Sequence, residues 1–145
     1  MELISPSSVT AARDLRAVFS RLWRQMRELT AGDDLTPSQT AALVRLAKDG
    51  PSSTSQLADA ERVRPQSMAT TVAALERHGL IARGPDPGDG RRQVISLTAE
   101  GRGCAERGRQ ARDEWLTCAL QERFTEAERR SIIAALGLLD RLTES

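Results

Sequence analysis

Apolar side chains recur at spacings of three and four residues over much of the chain, and this spacing predicts six helices. The first helix covers about residues 12–30 and is expected to end at Gly32–Asp34. Its apolar stripe consists of Leu15, Val18, Phe19, Leu22, Met26 and Leu29. Near the other end, helices are predicted over about 99–121 and 126–142, after Thr98 and Thr125. Amphipathic helices therefore flank the middle of the chain on both sides.

The middle of the chain carries three shorter predicted helices, and start signals define each of them. Thr36 to Gln39 has the pattern of a capping box with proline at the first helical position, which starts a helix over about 37–49. A second box, with Ser53 and Gln56, follows the turn Pro51–Ser53. Pro65 opens the next helix, over about 65–78, which is expected to end at Gly79. The inner stripes contain Ala42, Leu43, Leu46 and Ala47, then Leu57 and Ala58, then Met68, Val72 and Leu75.

A change of pattern after Gly79 predicts a β-hairpin. Strand candidates at Leu80–Arg83 and Arg92–Leu97 enclose a stretch of turn residues, Gly84–Gly90. Two short helices joined by a tight turn and followed by a hairpin are typical of a winged helix-turn-helix. The predicted fold is mainly α with a small β-hairpin wing.

The order of elements predicts one domain over 1–145. Its DNA-binding lobe, the winged helix-turn-helix, covers about 36–98, and the flanking helices at about 12–30 and 99–142 provide apolar surface for a second copy. The chain is expected to form a homodimer with two DNA-binding lobes. Two-fold symmetry then requires an inverted-repeat operator in double-stranded DNA, with half-sites about 34–36 Å apart.

Composition excludes several classes of protein. The 145 residues include 21 basic and 20 acidic side chains and 39% hydrophobic residues, which is a globular composition. Neither a membrane span nor a secretory signal is expected, and two cysteines suit a reducing cytoplasm. An enzyme is not expected, because phosphate loops and nucleophile motifs are missing from the sequence. No cofactor or metal is expected.

Basic and small polar residues of the lobe are the candidates for DNA contact. The outer face of the helix from Pro65 is almost uncharged, which allows close approach to the major groove, and its Gln, Ser and Thr can bond base edges. At the predicted wing tip, arginines suit the negative potential of a minor groove, and Asp89 is expected to orient Arg91 by a bidentate pair. The candidates are Arg64, Gln66, Ser67, Thr70, Arg77, Asp89, Arg91 and Arg92. Residues 62–92 hold six arginines against three carboxylates, which suits phosphate binding.

With these motifs, the chain resembles the MarR family of bacterial transcriptional regulators. The matching strings are LTPSQTAALVRLA at 35–47, STSQLADAERV at 53–63, SMATTVAALERHGLIAR at 67–83 and DPGDGRRQVISLTAEG at 86–101. The resemblance implies a homodimer, a recognition helix that starts at Pro65, and Arg91 as wing-tip arginine with Asp89 as its partner. It also implies repression that a small phenolic or carboxylate compound relieves. Possible ligand-binding residues are Trp23, Arg24 and Met26.

The two cysteines leave an alternative open. Cys104 and Cys118 lie 14 residues apart on one predicted helix, about 21 Å along its axis, so a disulfide within one chain is excluded. Both are expected to be small core residues. The alternatives are a helical protein-interaction module and a redox-sensing regulator that uses these cysteines.

Overall fold

The computed structural model describes residues 3–29 and 35–144. The elements are α1 (Pro6–Glu28), α2 (Pro37–Asp49), α3 (Thr54–Glu61), α4 (Pro65–Arg77), β1 (Ile81–Pro85), β2 (Gln93–Leu97), α5 (Ala99–Arg123) and α6 (Glu126–Asp140). The chain divides into two compact units, 1–109 and 110–145. The element order confirms a mainly helical winged helix-turn-helix. No helix in the described ranges is both long enough and apolar enough to cross a membrane.

Helix α1 begins earlier than its apolar spacing predicts. The expected start near residue 12 is wrong, because Ser5 caps the helix and accepts a hydrogen bond from the Ser7 N–H, with Pro6 in the first turn. Val9 is the only large apolar residue in the first turns of α1, so these turns show no repeating apolar spacing from which a helix could be predicted. The expected end at Gly32–Asp34 lies outside the described residues.

Helices α2 and α3 begin as their start signals predict. Both capping boxes are present, with the Gln39 N–H 3.2 Å from Thr36 Oγ1 and the Gln56 N–H 3.1 Å from Ser53 Oγ. The two helices are tied by the Arg45 guanidinium, which donates to Glu61 at 3.0 Å. This hydrogen bond is the largest of the effects that raise the pKa of Arg45 above its ordinary value.

The core of the first unit joins the lobe helices, the hairpin and the start of α5. Its members are Ala42, Leu43, Leu46, Leu57, Ala58, Met68, Val72, Leu75, Leu80, Ile81, Ile95 and Cys104. Burial of each large aliphatic side chain stabilises the fold by about 2 kcal/mol. Two expectations were wrong: Ala47 is exposed, and Ala74, expected beside the outer face of α4, is buried.

The turn between α3 and α4 bends at Arg62, which has left-handed backbone angles (φ 53°, ψ 44°). The turn closes when the Val63 N–H donates to the Ala58 carbonyl at 3.0 Å. Most residues with a Cβ pay about 1 kcal/mol for this conformation, which glycine adopts freely.

The wing is an antiparallel hairpin with Ile81 opposite Leu97 and Pro85 opposite Gln93. Both strands lie within one or two residues of the predicted ranges. The segment Pro51–Ser53, predicted as a turn, also pairs with the wing: the Ser52 N–H donates to the Ile95 carbonyl at 3.0 Å, and the Ile95 N–H donates to the Ser52 carbonyl at 2.7 Å. The wing is therefore fastened to the residues that precede α3.

Three hydrogen bonds of Thr98 connect the residues after α4 to the start of α5. The Thr98 hydroxyl donates to the Gly79 carbonyl at 2.7 Å and accepts from the Gly101 N–H at 3.0 Å. The Thr98 N–H donates to the Leu80 carbonyl at 3.0 Å. A Cβ on Gly101 would lie 1.9 Å from the Leu80 carbonyl oxygen, so only glycine fits this approach.

The second unit contains the end of α5 and all of α6. Glu128 closes the predicted capping box with Thr125, and the Thr125 N–H lowers the pKa of the Glu128 carboxyl. Arg129 caps the end of α5 by donating to the carbonyls of Leu120 and Phe124. Helix α6 ends at Asp140, two residues before the predicted limit, and α5 extends two residues beyond its own.

Candidate nucleic-acid interface

Helix α4 separates a buried stripe from an exposed polar face, as its periodicity predicts. Met68, Val72 and Leu75 are at most 3% exposed. The candidate base-contacting residues are exposed on the other side: Gln66, Ser67, Thr70 and Arg77. The structure thus places these four candidates on one accessible surface, which we call the α4 face. Their contact with DNA stays a prediction.

The polar groups of the α4 face remain available to a ligand. The Thr70 hydroxyl donates to the Gln66 carbonyl at 3.2 Å, which uses its proton but leaves its lone pairs and its methyl group exposed. Among the described residues, the Gln66 side-chain amide forms no hydrogen bond. A free amide can donate and accept at once, as adenine requires in the major groove.

The start of α4 differs from the starts of α2, α3 and α6, which a Thr or Ser side chain caps. Arg64 is the N-cap residue of α4 and provides no side-chain hydrogen bond to the first turn. The exposed N–H groups there, including that of Gln66, carry the positive end of the helix dipole. This end of α4 suits a phosphate group.

The wing tip is held together by hydrogen bonds between its aspartate side chains and its backbone. The carboxylate of Asp86 accepts from the Gly88 N–H at 2.9 Å, and that of Asp89 accepts from the Arg91 N–H at 3.1 Å. The predicted bidentate pair between the side chains of Asp89 and Arg91 was wrong, because the tight turn brings the Arg91 backbone N–H to the carboxylate instead. The Arg91 side chain is left exposed.

Arg92 does not extend from the tip as expected. Its Nη2 donates to Ser53 Oγ at 3.2 Å, at the start of α3. Ser53 therefore competes with DNA for the Arg92 guanidinium. The sequence gives no signal for this contact, because 39 residues separate the two partners.

Ion pairs neutralise only part of the basic lobe. Arg83 pairs with Glu76 at 2.9 Å. In the described ranges, the five other arginines of residues 62–92 form no ion pair: Arg62, Arg64, Arg77, Arg91 and Arg92, the last of which donates to Ser53 instead. Residues 62–92 therefore keep a net positive charge that ion pairs do not neutralise, which favours phosphate binding.

The possible ligand-binding residues all lie on α1. Trp23 and Met26 are half-buried and Arg24 is exposed. Their role stays a prediction. The cysteines differ from each other: Cys104 is buried in the core, as expected, whereas the expectation of a core position for Cys118 was wrong, because it is exposed. The helical spacing of apolar residues along α5 does not distinguish Cys104 from Cys118.

Known proteins share this lobe and most of the chain. A family model described as the MarR family matches residues 35–92. An HTH-type transcriptional regulator of Mycobacterium bovis is 38% identical over 110 residues, which cover 76% of this chain and 77% of that protein. The chain belongs to the MarR family.

A solved structure and a named repressor are also similar to this chain. A crystal structure described as a transcriptional regulator from Pseudomonas aeruginosa superposes with a TM-score of 0.84 at 33% identity, covering 98% of this chain and 99% of that one. The HTH-type transcriptional repressor MdtR of Bacillus subtilis is 33% identical over 87 residues, 60% of this chain and 56% of that protein. This MarR protein is thus a DNA-binding transcriptional regulator and not an enzyme.

Proposed function

We propose that this MarR protein is a cytoplasmic homodimeric repressor that binds an inverted-repeat operator and releases it on binding a small phenolic or carboxylate compound. The observation that carries the proposal is the α4 face, an exposed and nearly uncharged surface on the helix that follows the turn of the helix-turn-helix. Exposed helices in contact with water alone usually carry more charges. Repression is supported by the repressor MdtR among the relatives.

The proposed domain organisation assigns different tasks to different segments. Residues 36–98 form the lobe that contacts DNA, and α1, α5 and α6 join two copies of the single domain. Exposed apolar side chains on α1 and α6 support this division. They include Val18, Phe19, Ile133, Leu136 and Leu138, each at least half exposed. Apolar surface of this kind is typical of a protein interface.

Leu136→Glu is expected to weaken dimer formation by at least tenfold, since one buried leucine contributes about 1.5–3 kcal/mol and a charge adds a desolvation cost. The side chain is 58% exposed in the single chain, so its replacement leaves the chain folded. Sedimentation equilibrium over a range of protein concentrations measures the effect. Ala47→Glu, at an exposed position of α2 outside the proposed dimer segments, is the control. Equal dissociation constants for the two variants would contradict the assignment of this face.

The operator itself is the direct test of the proposed function. A gel-shift assay with the intergenic DNA upstream of the gene is expected to show a complex of two chains per site that competitor DNA of random sequence displaces poorly. A panel of phenolic acids is expected to release the complex. A shift that random DNA abolishes at equal concentration would contradict sequence-specific binding.

Arg91→Ala is expected to weaken operator binding and to lower the slope of log K against log salt concentration by about one unit per lost phosphate contact. The reason is that each unpaired guanidinium that binds a phosphate releases a counterion. Fluorescence anisotropy at several salt concentrations measures both quantities. Arg141→Ala, at an exposed position beyond the lobe, is the control and is expected to leave both unchanged. An Arg91 variant with an unaltered slope and affinity would refute a role for the wing tip.

A further inference from the structure

Arg92 lies beside the proposed DNA-contacting residue Arg91, but its guanidinium points back to the protein. Its Nη2 donates to Ser53 Oγ at 3.2 Å. Its backbone also closes the hairpin loop, since the Arg92 carbonyl accepts from the Asp86 N–H at 2.8 Å. The residue thus connects the end of the hairpin loop to another element of the lobe.

Ser53 is a well-fixed acceptor for this contact. It is 5% exposed, and its hydroxyl oxygen also accepts the capping hydrogen bond from the Gln56 N–H at 3.1 Å. Its own N–H donates to Gln56 Oε1 at 3.0 Å, so both groups of the capping box hold it in place. A side chain that binds Ser53 is therefore bound to the rigid start of α3.

The neighbouring residues make the same connection through the backbone. Ser52 and Ile95 exchange two hydrogen bonds, at 3.0 and 2.7 Å. A hairpin of two strands is only marginally stable alone and has few means of fixing its own direction. The Ser52–Ile95 bridge holds the middle of the wing, and the Arg92–Ser53 contact holds it closer to the tip.

We propose that Arg92 is a positioning residue, which fixes the direction of the wing tip through Ser53 and so places Arg91 against DNA, instead of binding a phosphate itself. The inference rests on the proposed function in one respect, that the wing contacts the operator. The contact with Ser53 uses one N–H group of the guanidinium, and a charged donor makes such a hydrogen bond stronger than one between neutral groups.

The salt dependence of binding separates positioning from phosphate contact. Arg92→Ala is expected to weaken operator binding about tenfold, because the freed wing must then be ordered when it binds, while Arg91 still reaches its phosphate in the complex. The slope of log K against log salt concentration is expected to stay that of the wild type, whereas Arg91→Ala lowers it by about two units, one for each Arg91 contact of the homodimer. An Arg92 variant that lowers the slope as much as the Arg91 variant would overturn the proposal.

A double-mutant cycle with Ser53→Gly tests the route of the effect. Glycine removes the hydroxyl yet costs an N-cap only a few tenths of a kcal/mol, and the extended backbone of Ser53 (φ −78°, ψ 162°) suits it. In the Ser53→Gly background, Arg92→Ala is expected to have little further effect on operator affinity, because the contact is already lost. Gln66→Ala, on α4 and outside the wing, is the matched control and is expected to have its full effect in that background. Additive losses for Arg92 and Ser53 would overturn the proposal.

A urea-unfolding cycle of the same variants, without DNA, separates failure of the inference from failure of the proposed function. Coupling between Arg92 and Ser53 in the unfolding free energy is expected whatever the protein binds. If this coupling is present but neither Arg91→Ala nor Arg92→Ala changes operator affinity, the proposed role of the wing fails. If Arg91→Ala weakens binding but Arg92 and Ser53 are uncoupled in unfolding, the wing role stands and the positioning role is overturned.

Discussion

Gly101→Ala is expected to lower the free energy of unfolding by about 3–5 kcal/mol, the upper range for a single substitution. The new Cβ would lie 1.9 Å from the Leu80 carbonyl oxygen and 2.9 Å from its carbonyl carbon. Backbone atoms cannot rotate away as the end of a side chain can. The same carbonyl accepts the Thr98 N–H, so moving it also disturbs the junction between α4 and α5.

Urea unfolding followed by circular dichroism measures this loss, and Gly103→Ala provides the matched control on the same helix. A Cβ at Gly103 meets only Arg107 Nη1, at 3.3 Å, which is the mobile end of a long side chain. Alanine is the better helix former, so Gly103→Ala is expected to be neutral or stabilising by up to about 1 kcal/mol. If the two variants unfold at the same urea concentration, the close approach of Gly101 to Leu80 does not exist in solution.

Gln66→Ala is expected to give the largest loss of operator affinity among single substitutions on the α4 face. A bidentate amide contact with adenine contributes about 1–3 kcal/mol to discrimination against the wrong base. In a homodimer the substitution removes two such contacts, so the expected loss is about 2–6 kcal/mol for the whole operator. The unbonded Gln66 amide and its place near the start of α4 are the reasons for this expectation.

Anisotropy titrations with operator and with random DNA distinguish base contact from general weakening. Gln66→Ala is expected to leave the affinity for random DNA nearly unchanged, since phosphate contacts dominate there. Gln110→Ala, exposed on α5, is the control and is expected to bind both DNAs like the wild type. Equal losses on operator and random DNA would mean that Gln66 does not contact bases.

Local signals were sufficient to predict most of the elements. The predicted bounds of α2 match the structure, because Pro37 follows the Thr36 cap and Gly50 stops the helix with φ 83°. The buried side of α4 was also predictable, since periodicity defines which residues share a face. These features depend on residues within a turn or two of one another, and such relations are visible along the chain.

Contacts between distant segments were not predictable in this way. Nothing local indicates that Ser52 pairs with Ile95, that Arg92 binds Ser53 or that Gly101 must approach Leu80. Periodicity also does not distinguish an apolar stripe that is buried within the chain from one that stays exposed on its surface. The stripe of α4 is buried, whereas Val18 and Phe19 of α1 are 52% and 61% exposed. Arg91 and Arg92 are adjacent and identical in type, yet only the fold shows that one of them has a partner.

At Arg62, the turn between α3 and α4 keeps a positive charge at the cost of backbone strain. Glycine would satisfy the same bend with less strain, but it would remove a positive charge next to the start of α4. About 1 kcal/mol is small beside the 5–15 kcal/mol that usually separates folded from unfolded domains. The stability of the folded lobe therefore tolerates an arginine with left-handed backbone angles in this turn.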